Sequence, residues 1–591
     1  MRGMTLRAMT EACNGVYYGN EANLEKEVSD ITTDSRKVTK GSLFIAICGE
    51  RTDGHKYIDG CFEAGALCVI SEKELPGQKN SYIRVKSSLQ ALKDLALLYR
   101  NNLDIKVVGI TGSVGKTSTK ETISYVLEEK YKVLKTEGNF NNEIGLPLTV
   151  FRLRDDDEIA VLEMGISDFG EMERLSEIAQ PDIGVITNIG LCHLENLKTR
   201  DGILKAKTEM FKHLKPDGIA ILNGDDDKLI TVDEVNGKKP VRFGISYKDG
   251  VYASDIKNLG LDGTSFVSMV LAVMIQAKHF EVTVPVPGYH MVYNALAAAC
   301  VGAQSGLTSV QIQTGISKLK TIAGRNNIIK TDKYTIIDDC YNANPVSMKA
   351  SVDVVNMALG RKVCILGSMF ELGSDEKNLH YDVGQYIGTR NIDVLITIGE
   401  LAKHIAMGAA DYKETHYEAY ECDIHSYETI DDFEKEAGSI IKNGDSILIK
   451  ASHAMNFDRI VTMLSEHKTD YRTENKYMKK MKRIIICVTA IMLMLSFVAC
   501  KNSKNSELTG SWTGSNGGYE IAFTFNEDGT GVMSISGIQL NISYSVDGEK
   551  LTINKTVLDG TQTEDYTYKL SNKGKKLTLT SASGETELTK N

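Results

Sequence analysis

A glycine-rich stretch near residue 110 carries the residue types needed to hold a phosphate group. Residues 107–120 read VVGITGSVGKTSTK. Glycines let backbone N–H groups approach an anion, Lys116 can reach the β- and γ-phosphates of a nucleotide, and the Thr117 hydroxyl can bind Mg²⁺. The strict motif has glycine where this chain has Ile110, but the remaining pattern predicts a nucleotide phosphate site. Its candidate residues are Gly109, Thr111, Gly112, Ser113, Val114, Gly115, Lys116, Thr117 and Ser118.

The segments on either side of this loop must position it. The apolar run Lys106–Ile110 predicts a buried parallel strand, and Ser118–Lys130 has helical spacing. A helix that begins where the loop ends adds the partial positive charge of its N-terminus to the site. The alternative is a chance glycine-rich turn, and the order strand, loop, helix argues against it.

Two further polar residues follow predicted strands of the same region. Glu163 lies at the end of the strand Ile159–Met164, and His193 follows the strand Ile183–Thr187. Ligands of open α/β sheets bind at the carboxyl ends of the strands, where a carboxylate can bind Mg²⁺. Both residues are therefore candidates for the same site, although a lone histidine is more often structural.

A polar loop and a pair of lysines complete the candidates of this region. The loop Gly138–Pro147 contains asparagines that can donate hydrogen bonds to phosphate or peptide oxygens. They are Asn139, Asn141 and Asn142. Lys205 and Lys207 lie in the helical pattern ILKAKTEMF, where solvated charges on a helix surface are the simplest interpretation.

The composition predicts several domains and no nucleic-acid partner. A chain of 591 residues exceeds a single hydrophobic core, so we expect roughly three to five domains. The net charge of −10 leaves no basic surplus to neutralise nucleic-acid phosphates. A small mixed unit is predicted at 1–82, and alternating strands and helices predict α/β units at 104–322 and 324–467. Scattered cysteines without a CxxC pair indicate reduced thiols in a cytosolic body.

The other two units contain polar motifs beside apolar strands. Asp34, Ser35 and Arg36 lie in ITTDSRKV, and by composition alone they are turn formers. In the unit at 324–467, the motif DDCYNANP follows one predicted strand and GSMFELG follows the next. Two α/β units whose loop edges face each other form a cleft that can close over a nucleotide and exclude water.

The chain after residue 470 has a different pattern. The basic stretch KKMKR precedes the apolar run Ile484–Ala499 and Cys500, which together are typical of a bacterial lipoprotein signal and predict one at 478–500. A membrane anchor is the alternative, although the 16 apolar residues would span about 24 Å of a hydrocarbon core of ~30 Å. Residues 507–591 alternate polar and apolar side chains, which predicts a small antiparallel β-sandwich or barrel that resembles lipocalin-like modules.

Nine motifs, in this order, resemble those of the Mur ligases. They are GITGSVGKTSTKE, GNFNNEIGLP, AVLEMG, NIGLCHLE, AKTEMF, GYHMVYNALAA, AGR, DDCYNANPVSMKA and GSMFELG. The resemblance covers about residues 25–467, and YNANPVSM is most similar to the branch of the family that adds D-Ala-D-Ala. It implies an α/β fold with three domains: a UDP-binding N-domain, a P-loop ATPase central domain and a Rossmann-like C-domain. The small all-β module would follow them.

The resemblance also implies a reaction. The γ-phosphoryl group of ATP would pass to the carboxylate of a UDP-N-acetylmuramoyl tripeptide, and the amine of D-Ala-D-Ala would attack the acyl phosphate. ATP and Mg²⁺ are the implied cofactors. Since ATP and UDP-linked precursors are cytoplasmic, the ligase body would be cytoplasmic, and membrane contact would arise only through 484–500.

Roles follow for residues that match family positions. The implied catalytic residues are Lys116, Glu163, His193, Lys207 and Arg325. The implied metal positions are Thr117, Glu163, His193 and Lys207, the last of which aligns with a lysine carbamylated in some relatives. Around the nucleotide the implied residues are Asn294, Arg325 and Asp339. The substrate would contact Asp34, Ser35, Arg36, Asn139, Asn141, Asn142, Tyr341, Asn342 and Asn344.

One departure from the family pattern keeps two alternatives open. The C-terminal KGSR stretch of the family is replaced here by residues 450–453, KASH, so that a guanidinium becomes the imidazole of His453. A Mur-type ligase that acts on another acceptor is one alternative. The other is an inactive ligase body in a membrane-tethered binding protein.

Overall fold

The computed structural model describes residues 1–49, 52–269, 279–416 and 421–465, together with 507–516, 519–526, 529–535, 538–557, 560–572, 574–581 and 584–590. The chain divides into two compact units, 1–468 and 469–591. The lipoprotein-type signal predicted at 478–500 lies outside the described residues. Within those residues, no helix has both the length and the apolar character needed to cross a membrane.

The N-terminal domain is a five-stranded sheet in the order β1-β5-β4-β3-β2, in which only β1 is antiparallel to its neighbour. The strands are β1 (Val16–Tyr18), β2 (Ile31–Thr32), β3 (Leu43–Ile45), β4 (Cys68–Ser71) and β5 (Tyr82–Arg84). The helices are α1 (Leu6–Ala12), α2 (Ile58–Glu63) and α3 (Ser88–Asn101). The Tyr99 hydroxyl and the buried Arg100 guanidinium of α3 donate to backbone carbonyls of the central domain, so α3 fastens the two domains together.

The central domain contains a nine-stranded sheet in the order β14-β13-β12-β11-β10-β9-β6-β8-β7. It is parallel from β7 to β12 and antiparallel in the last three strands. The strands are β6 (Lys106–Thr111), β7 (Val133–Lys135), β8 (Ile159–Glu163), β9 (Ile183–Ile186), β10 (Ile219–Asn223), β11 (Val241–Gly244), β12 (Val251–Asn258), β13 (Thr264–Met269) and β14 (His279–Val284). Because β6 lies between β8 and β9, the loops after these three strands meet at one edge of the sheet.

Helices cover both faces of this sheet. They are α4 (Lys116–Leu127), α5 (Gly145–Val150), α6 (Glu171–Ala179), α7 (Leu194–Leu197), α8 (Arg200–Thr208), α9 (His290–Gln304) and α10 (Ser309–Ser317). Helix α4 begins two residues earlier than predicted, because the glycine loop ends at Gly115, which has the left-handed conformation at the N-cap. The predicted strands at 106–110, 159–164 and 183–187 are present, each within one residue of its predicted ends.

The C-terminal domain has a six-stranded sheet in the order β15-β16-β20-β17-β18-β19, antiparallel only at its edge strand β15. The strands are β15 (Asn327–Lys330), β16 (Thr335–Asp338), β17 (Lys362–Gly367), β18 (Val394–Ile398), β19 (Asp423–Tyr427) and β20 (Ser446–Lys450). The helices are α11 (Pro345–Asn356), α12 (Glu376–Gly388), α13 (Lys403–Thr415), α14 (Ile430–Ile440) and α15 (Asp458–Ser465). The three-domain α/β prediction is confirmed.

The second unit is a closed barrel of eight antiparallel strands, which resolves the predicted choice between sandwich and barrel. The strands are β21 (Gly510–Asn516), β22 (Tyr519–Phe525), β23 (Thr530–Ile535), β24 (Ile538–Asp547), β25 (Lys550–Val557), β26 (Gly560–Ser571), β27 (Lys576–Ser581) and β28 (Gly584–Lys590). Its buried core includes Trp512, Phe523, Phe525, Leu551 and Leu577. Large apolar side chains therefore fill the described interior.

Candidate active site

A cavity of about 670 Å³ lies between the central and C-terminal domains. The central domain contributes the glycine loop and the ends of β8 and β9, and the C-terminal domain contributes the segment before β15 and the loop after β16. The predicted residues that line it are Ser113, Val114, Gly115, Lys116, Thr117, Ser118, Asn141, Asn142, Glu163, His193, Asn294, Arg325, Asp339, Tyr341, Asn342 and Asn344. The fold therefore brings together most of the site residues expected from the sequence.

The glycine loop has the backbone conformation that its sequence requires. Gly112 has φ +152°, and a β-carbon there would lie 1.9 Å from the Thr187 hydroxyl oxygen. Gly115 is left-handed with φ +82° at the N-cap of α4. The Nζ of Lys116 donates to the carbonyl of Gly112 at 2.9 Å, so the lysine folds back over its own loop. The loop and helix N-terminus form an anion-binding cradle.

Thr187 and Asn188, which follow β9, hold this loop, and neither was among the residues selected from the sequence. The backbone N–H of Val114 donates to the Asn188 side-chain oxygen at 3.0 Å, and its carbonyl accepts from the Thr187 hydroxyl at 2.7 Å. Ser113 donates its own N–H to the carbonyl of Asn188. The only sequence signal for them is the polar pair that follows a buried strand.

Glu163 has the surroundings of a cation ligand. It is 1% exposed, and its Oε1 accepts from the Thr117 hydroxyl at 3.2 Å and from the Asn141 amide at 2.8 Å. Its Oε2 is buried without a hydrogen-bond partner. The nearest cation is the Nζ of Lys120, 4.0 Å away. A buried, unpartnered carboxylate oxygen beside a hydroxyl suits Mg²⁺, which prefers oxygen donors.

Among the described residues, no group of three His, Cys, Asp or Glu side chains could hold a metal ion. A Mg²⁺ site that serves a nucleotide typically uses only one or two carboxylates, together with phosphates and water.

Lys207 is not the solvated helix charge that its composition favours, and this interpretation is corrected. Its side chain is 1% exposed, whereas Lys205 on the same helix is exposed. Burial, with a smaller contribution from the nearby Lys116, lowers the pKa of Lys207 from 10.5 to about 8. Lys207 follows the buried Ile203 by four residues, so helical periodicity was the available signal for its burial. Lys207 does not itself line the cavity.

His193 joins the two domains. Its Nδ1 lies 2.8 Å from the Oε2 of Glu371, in the GSMFELG loop of the C-terminal domain. The hydrogen bond from His193 lowers the pKa of Glu371. Both residues have positive φ, 51° and 62°. Glu371 was not among the residues selected from the sequence.

The C-terminal side of the cavity has a buried ion pair. The Nζ of Lys450 lies 2.6 Å from the Oδ2 of Asp339, and it donates to the carbonyl of Asn342 at 2.9 Å. Lys450 is 2% exposed and ends β20. In the sequence Lys450 is distinctive only as the first residue of the altered KASH stretch, and nothing there indicates its pairing with Asp339.

Arg325 stacks on an aromatic ring at the same edge. Its guanidinium carbon lies 4.0 Å from the centre of the Tyr341 ring, and the His453 ring lies 5.5 Å from that centre on a tilted plane. The replaced family position thus contacts Tyr341, which lines the cavity. Asn294 connects two helices of the central domain. Its Oδ1 accepts a hydrogen bond from the Thr119 hydroxyl at 3.0 Å, which joins α9 to α4.

Several predicted residues are used for local structure. The Oδ1 of Asn142 accepts the N–H of Gly145 at the start of α5, and Asn344 caps α11. Gly109 packs within β6 against Met164, the buried Thr111 ends that strand, and Asn139 is exposed. None of these last three lines the cavity.

The N-terminal motif lies apart from this cavity. Asp34 caps a turn and accepts two hydrogen bonds from the Arg36 guanidinium, which lowers the pKa of Asp34 to about 2. Ser35 begins the same turn. The turn interpretation of these residues agrees with this geometry, and their contact with a UDP group stays a prediction.

The cavity between the two α/β domains, with a phosphate-binding loop on one side, is typical of ligases that use a nucleotide. The chain matches three family descriptions: "Mur ligase family, catalytic domain" at 27–100, "Mur ligase middle domain" at 110–302 and "Mur ligase, glutamate ligase domain" at 324–453. The chain belongs to the Mur ligase family. Residues 506–589 match a family of unknown function (DUF5640).

The chain is similar to individual proteins of one enzyme type within this family. The UDP-N-acetylmuramoyl-tripeptide--D-alanyl-D-alanine ligase of Bacillus subtilis (strain 168) is 38% identical over 456 residues, which cover 76% of this chain and 96% of that protein. The enzyme of the same name from Escherichia coli (strain K12) is 33% identical, covering 69% and 88%.

The fold is also similar to solved structures of MurF ligases. MurF from Acinetobacter baumannii superposes with a TM-score of 0.70 at 28% identity and covers 78% of this chain and 98% of its own. MurF ligase from Thermotoga maritima, solved in complex with ADP, gives 0.65 at 30% identity, covering 74% and 97%.

Proposed function

We propose that this chain is an ATP-dependent, ADP-forming ligase that joins D-Ala-D-Ala to a UDP-N-acetylmuramoyl tripeptide. Relatives of that name match nearly their whole length. The observation that carries the proposal is the cavity itself, where the cradle around Lys116 and the unpartnered Oε2 of Glu163 face the Asp339–Lys450 pair. Phosphoryl transfer needs mainly positioning and charge neutralisation, which these groups supply.

The reaction has two steps. The tripeptide carboxylate attacks the γ-phosphorus of ATP, and the bond between that phosphorus and the β,γ-bridging oxygen breaks. ADP departs, and the tripeptide becomes an acyl phosphate. The amine of D-Ala-D-Ala then attacks the carbonyl carbon, inorganic phosphate departs, and the nitrogen loses a proton. Activation is required because a carboxylate is a poor electrophile.

This chain's residues hold the charges of the first step. Lys116 swings from its bond with the Gly112 carbonyl to the β- and γ-phosphates, whose oxygens also accept from the backbone N–H groups of the loop. Thr117 and Glu163 would hold Mg²⁺, with His193 at the same cavity wall. The cation supplies neutralisation of the developing phosphate charge. Arg325, stacked on Tyr341, presents a fixed positive charge from the other domain.

Lys207 has a second role in the proposal. A buried lysine with a pKa of about 8 has a large neutral fraction, and only the neutral amine adds CO₂ to form a carbamate with loss of one proton. The carbamate would give the site a further carboxylate. Lys207→Ala would then lose activity that millimolar short carboxylates partly restore, and full activity without them would contradict the carbamate.

The second unit stands outside this chemistry. We assign the ligase body to the cytoplasm, where ATP and UDP-linked precursors are found, and 478–500 to a lipoprotein-type signal. The KKMKR stretch lies on the ligase side of the apolar run, so the positive-inside rule would send the barrel outward.

One assay tests the proposed function. The purified chain receives ATP, Mg²⁺ and UDP-N-acetylmuramoyl tripeptide, with and without D-Ala-D-Ala, and ADP and the product mass are measured. We expect ADP release that depends on both substrates and a product heavier by one dipeptide less water. Release with another amine but not with D-Ala-D-Ala would favour a different acceptor. No release at all would favour an inactive ligase body, for which His453 is the observation.

A further inference from the structure

The contact between His193 and Glu371 connects a cavity residue to a loop of the other domain. His193 Nδ1 and Glu371 Oε2 are 2.8 Å apart. A carboxylate only accepts hydrogen bonds, so Nδ1 must carry the proton. In the neutral ring, the other nitrogen, Nε2, then has its lone pair available to a ligand in the cavity that His193 lines.

The loop that contains Glu371 is fixed by contacts outside the pair. The N–H of Met369 donates to the Nε2 of the fully buried His380 at 2.8 Å, and the His380 Nδ1 is 2.6 Å from the Glu376 carbonyl. The N–H of Phe370 donates to the Ser452 hydroxyl at 3.0 Å. These contacts hold the loop rigid on the C-terminal domain.

The conformation of Glu371 also indicates a positioned side chain. Its φ of 62° is unusual for a residue with a β-carbon, and such backbone strain persists only where the surroundings impose it. The partner His193 is likewise left-handed, with φ 51° at the N-cap of α7. Two strained residues from two domains therefore meet at one hydrogen bond.

Apolar contacts beside the pair make it depend on how the domains pack. Leu191 and Leu194, which flank His193, pack against the core of the C-terminal domain. Separation of the domains would break these contacts and remove the carboxylate from His193. The pair is therefore complete only when the cleft is closed.

We propose that Glu371 is a positioning residue, by which the closed C-terminal domain orients His193 for the cation of the proposed reaction. The inference rests on the proposed function. Histidines that bind metals commonly donate their other N–H to a carboxylate, and loss of that partner costs 10- to 100-fold in metal affinity or activity. Here the carboxylate comes from a separate domain, so cation binding and domain closure favour each other.

The experiment compares variants of the full chain. Glu371→Ala removes the acceptor, whereas Glu371→Gln keeps an acceptor oxygen. Glu195→Gln is the matched control. Glu195 is exposed on α7, two residues after His193, and among the described residues its side chain has no hydrogen bond or ion pair. The measurements are Mn²⁺ binding by electron paramagnetic resonance with stoichiometric ADP, the Mg²⁺ concentration for half-maximal activity, and Tm.

We expect Glu371→Ala to weaken Mn²⁺ binding and raise the half-maximal Mg²⁺ concentration by about 10-fold or more. Glu371→Gln should recover most of the loss, and the KM for the UDP-linked substrate should stay within about twofold in both. Added to His193→Ala, Glu371→Ala should have no further effect, since the two residues act as a unit.

Two results would overturn the inference. One is Mn²⁺ binding by Glu371→Ala within twofold of the parent chain. The other is an additive loss in the double variant. If Glu371→Ala lowers the Tm strongly, the inference is tested instead by the Mn²⁺ binding of Glu371→Gln and by the additivity of the double variant. Failure of the proposed function would differ, because the parent chain itself would then form no product.

Discussion

Two lysines of the site show how surroundings decide the chemistry of one residue type. Lys116 is half-buried at the cavity and bonded to a carbonyl of its own loop, so it can exchange that partner for a phosphate. Lys207 is fully buried, and burial lowers its pKa to about 8. The first serves as a fixed charge and the second as a group whose charge changes near neutral pH.

Lys116→Ala removes the charge that faces the phosphates. We expect turnover to fall by about 10³-fold or more, because a charge that neutralises the transition state is lost. The measurement is ADP release at saturating substrates. Lys205→Ala, which removes an exposed lysine of α8, is the control and should stay near the parent rate. A near-normal rate for Lys116→Ala would contradict its assignment to the phosphates.

Lys207→Met tests the buried charge through stability. The pKa of Lys207 is about 8 in the folded protein against an ordinary 10.5, so the unfolded chain binds the proton more tightly. The cost to folding is complete below pH 8, roughly 3 kcal/mol, and disappears as the pH rises towards 10.5. In CO₂-free buffer the variant's gain in unfolding free energy should therefore shrink between pH 8 and 10.5. A gain that does not change with pH would contradict the buried charge.

At the scale of elements, the sequence pattern predicted the strands and helices whose formation depends on residues close to one another in the chain. The run before Gly112 predicted β6, and helical spacing predicted α4, because both depend on side chains close in sequence. The bond from Val114 to Asn188 spans 74 residues and depends on β9 lying beside β6, an order that periodicity does not contain. The bond between His193 and Glu371 depends on the packing of two domains and was missed for the same reason.

Gly112→Ala tests the loop as an element. A β-carbon would meet the Thr187 hydroxyl, which the loop needs as a donor to Val114. We expect ADP binding, measured by calorimetry, to weaken at least 10-fold while the far-UV circular dichroism stays unchanged. Gly60→Ala in α2 is the control, because nothing lies within 4 Å of its added carbon. It should stabilise by up to ~1 kcal/mol, as alanine does in a helix. Equal ADP affinity for both variants would contradict a steric role for Gly112.

At the scale of the whole molecule, the chain divides into two compact units, and the barrel has a buried core of its own. The single tryptophan, Trp512, is 0% exposed inside the barrel, and its Nε1 donates to the Leu508 carbonyl at 2.7 Å. The ligase body contains no tryptophan, so fluorescence excited selectively at tryptophan rather than tyrosine reports only on the barrel. The two units can therefore be followed independently in one sample.

We expect ADP to raise the unfolding temperature of the ligase body but not that of the barrel. At 100 times its Kd a ligand stabilises the state that binds it by about 2.7 kcal/mol. Circular dichroism at 222 nm follows the helices, which the described residues place in the ligase body, and fluorescence follows Trp512. A fluorescence transition that moves with ADP as far as the dichroism transition would show that the units unfold together.

Strand β28 closes the barrel by pairing with β21. Three residue pairs join β21 to β28, whereas eight join β25 to β26. Gly514 lies at this junction, and a β-carbon there would come within 2.2 Å of the Glu587 carbonyl. A chain cut after Glu587 would lose all three pairs and become an open sheet with two unpaired edges. Such edges recruit strands from other chains. Removal of the residues after Glu587 should thus make the second unit self-associate, visible as elution earlier than that of the parent chain in size-exclusion chromatography.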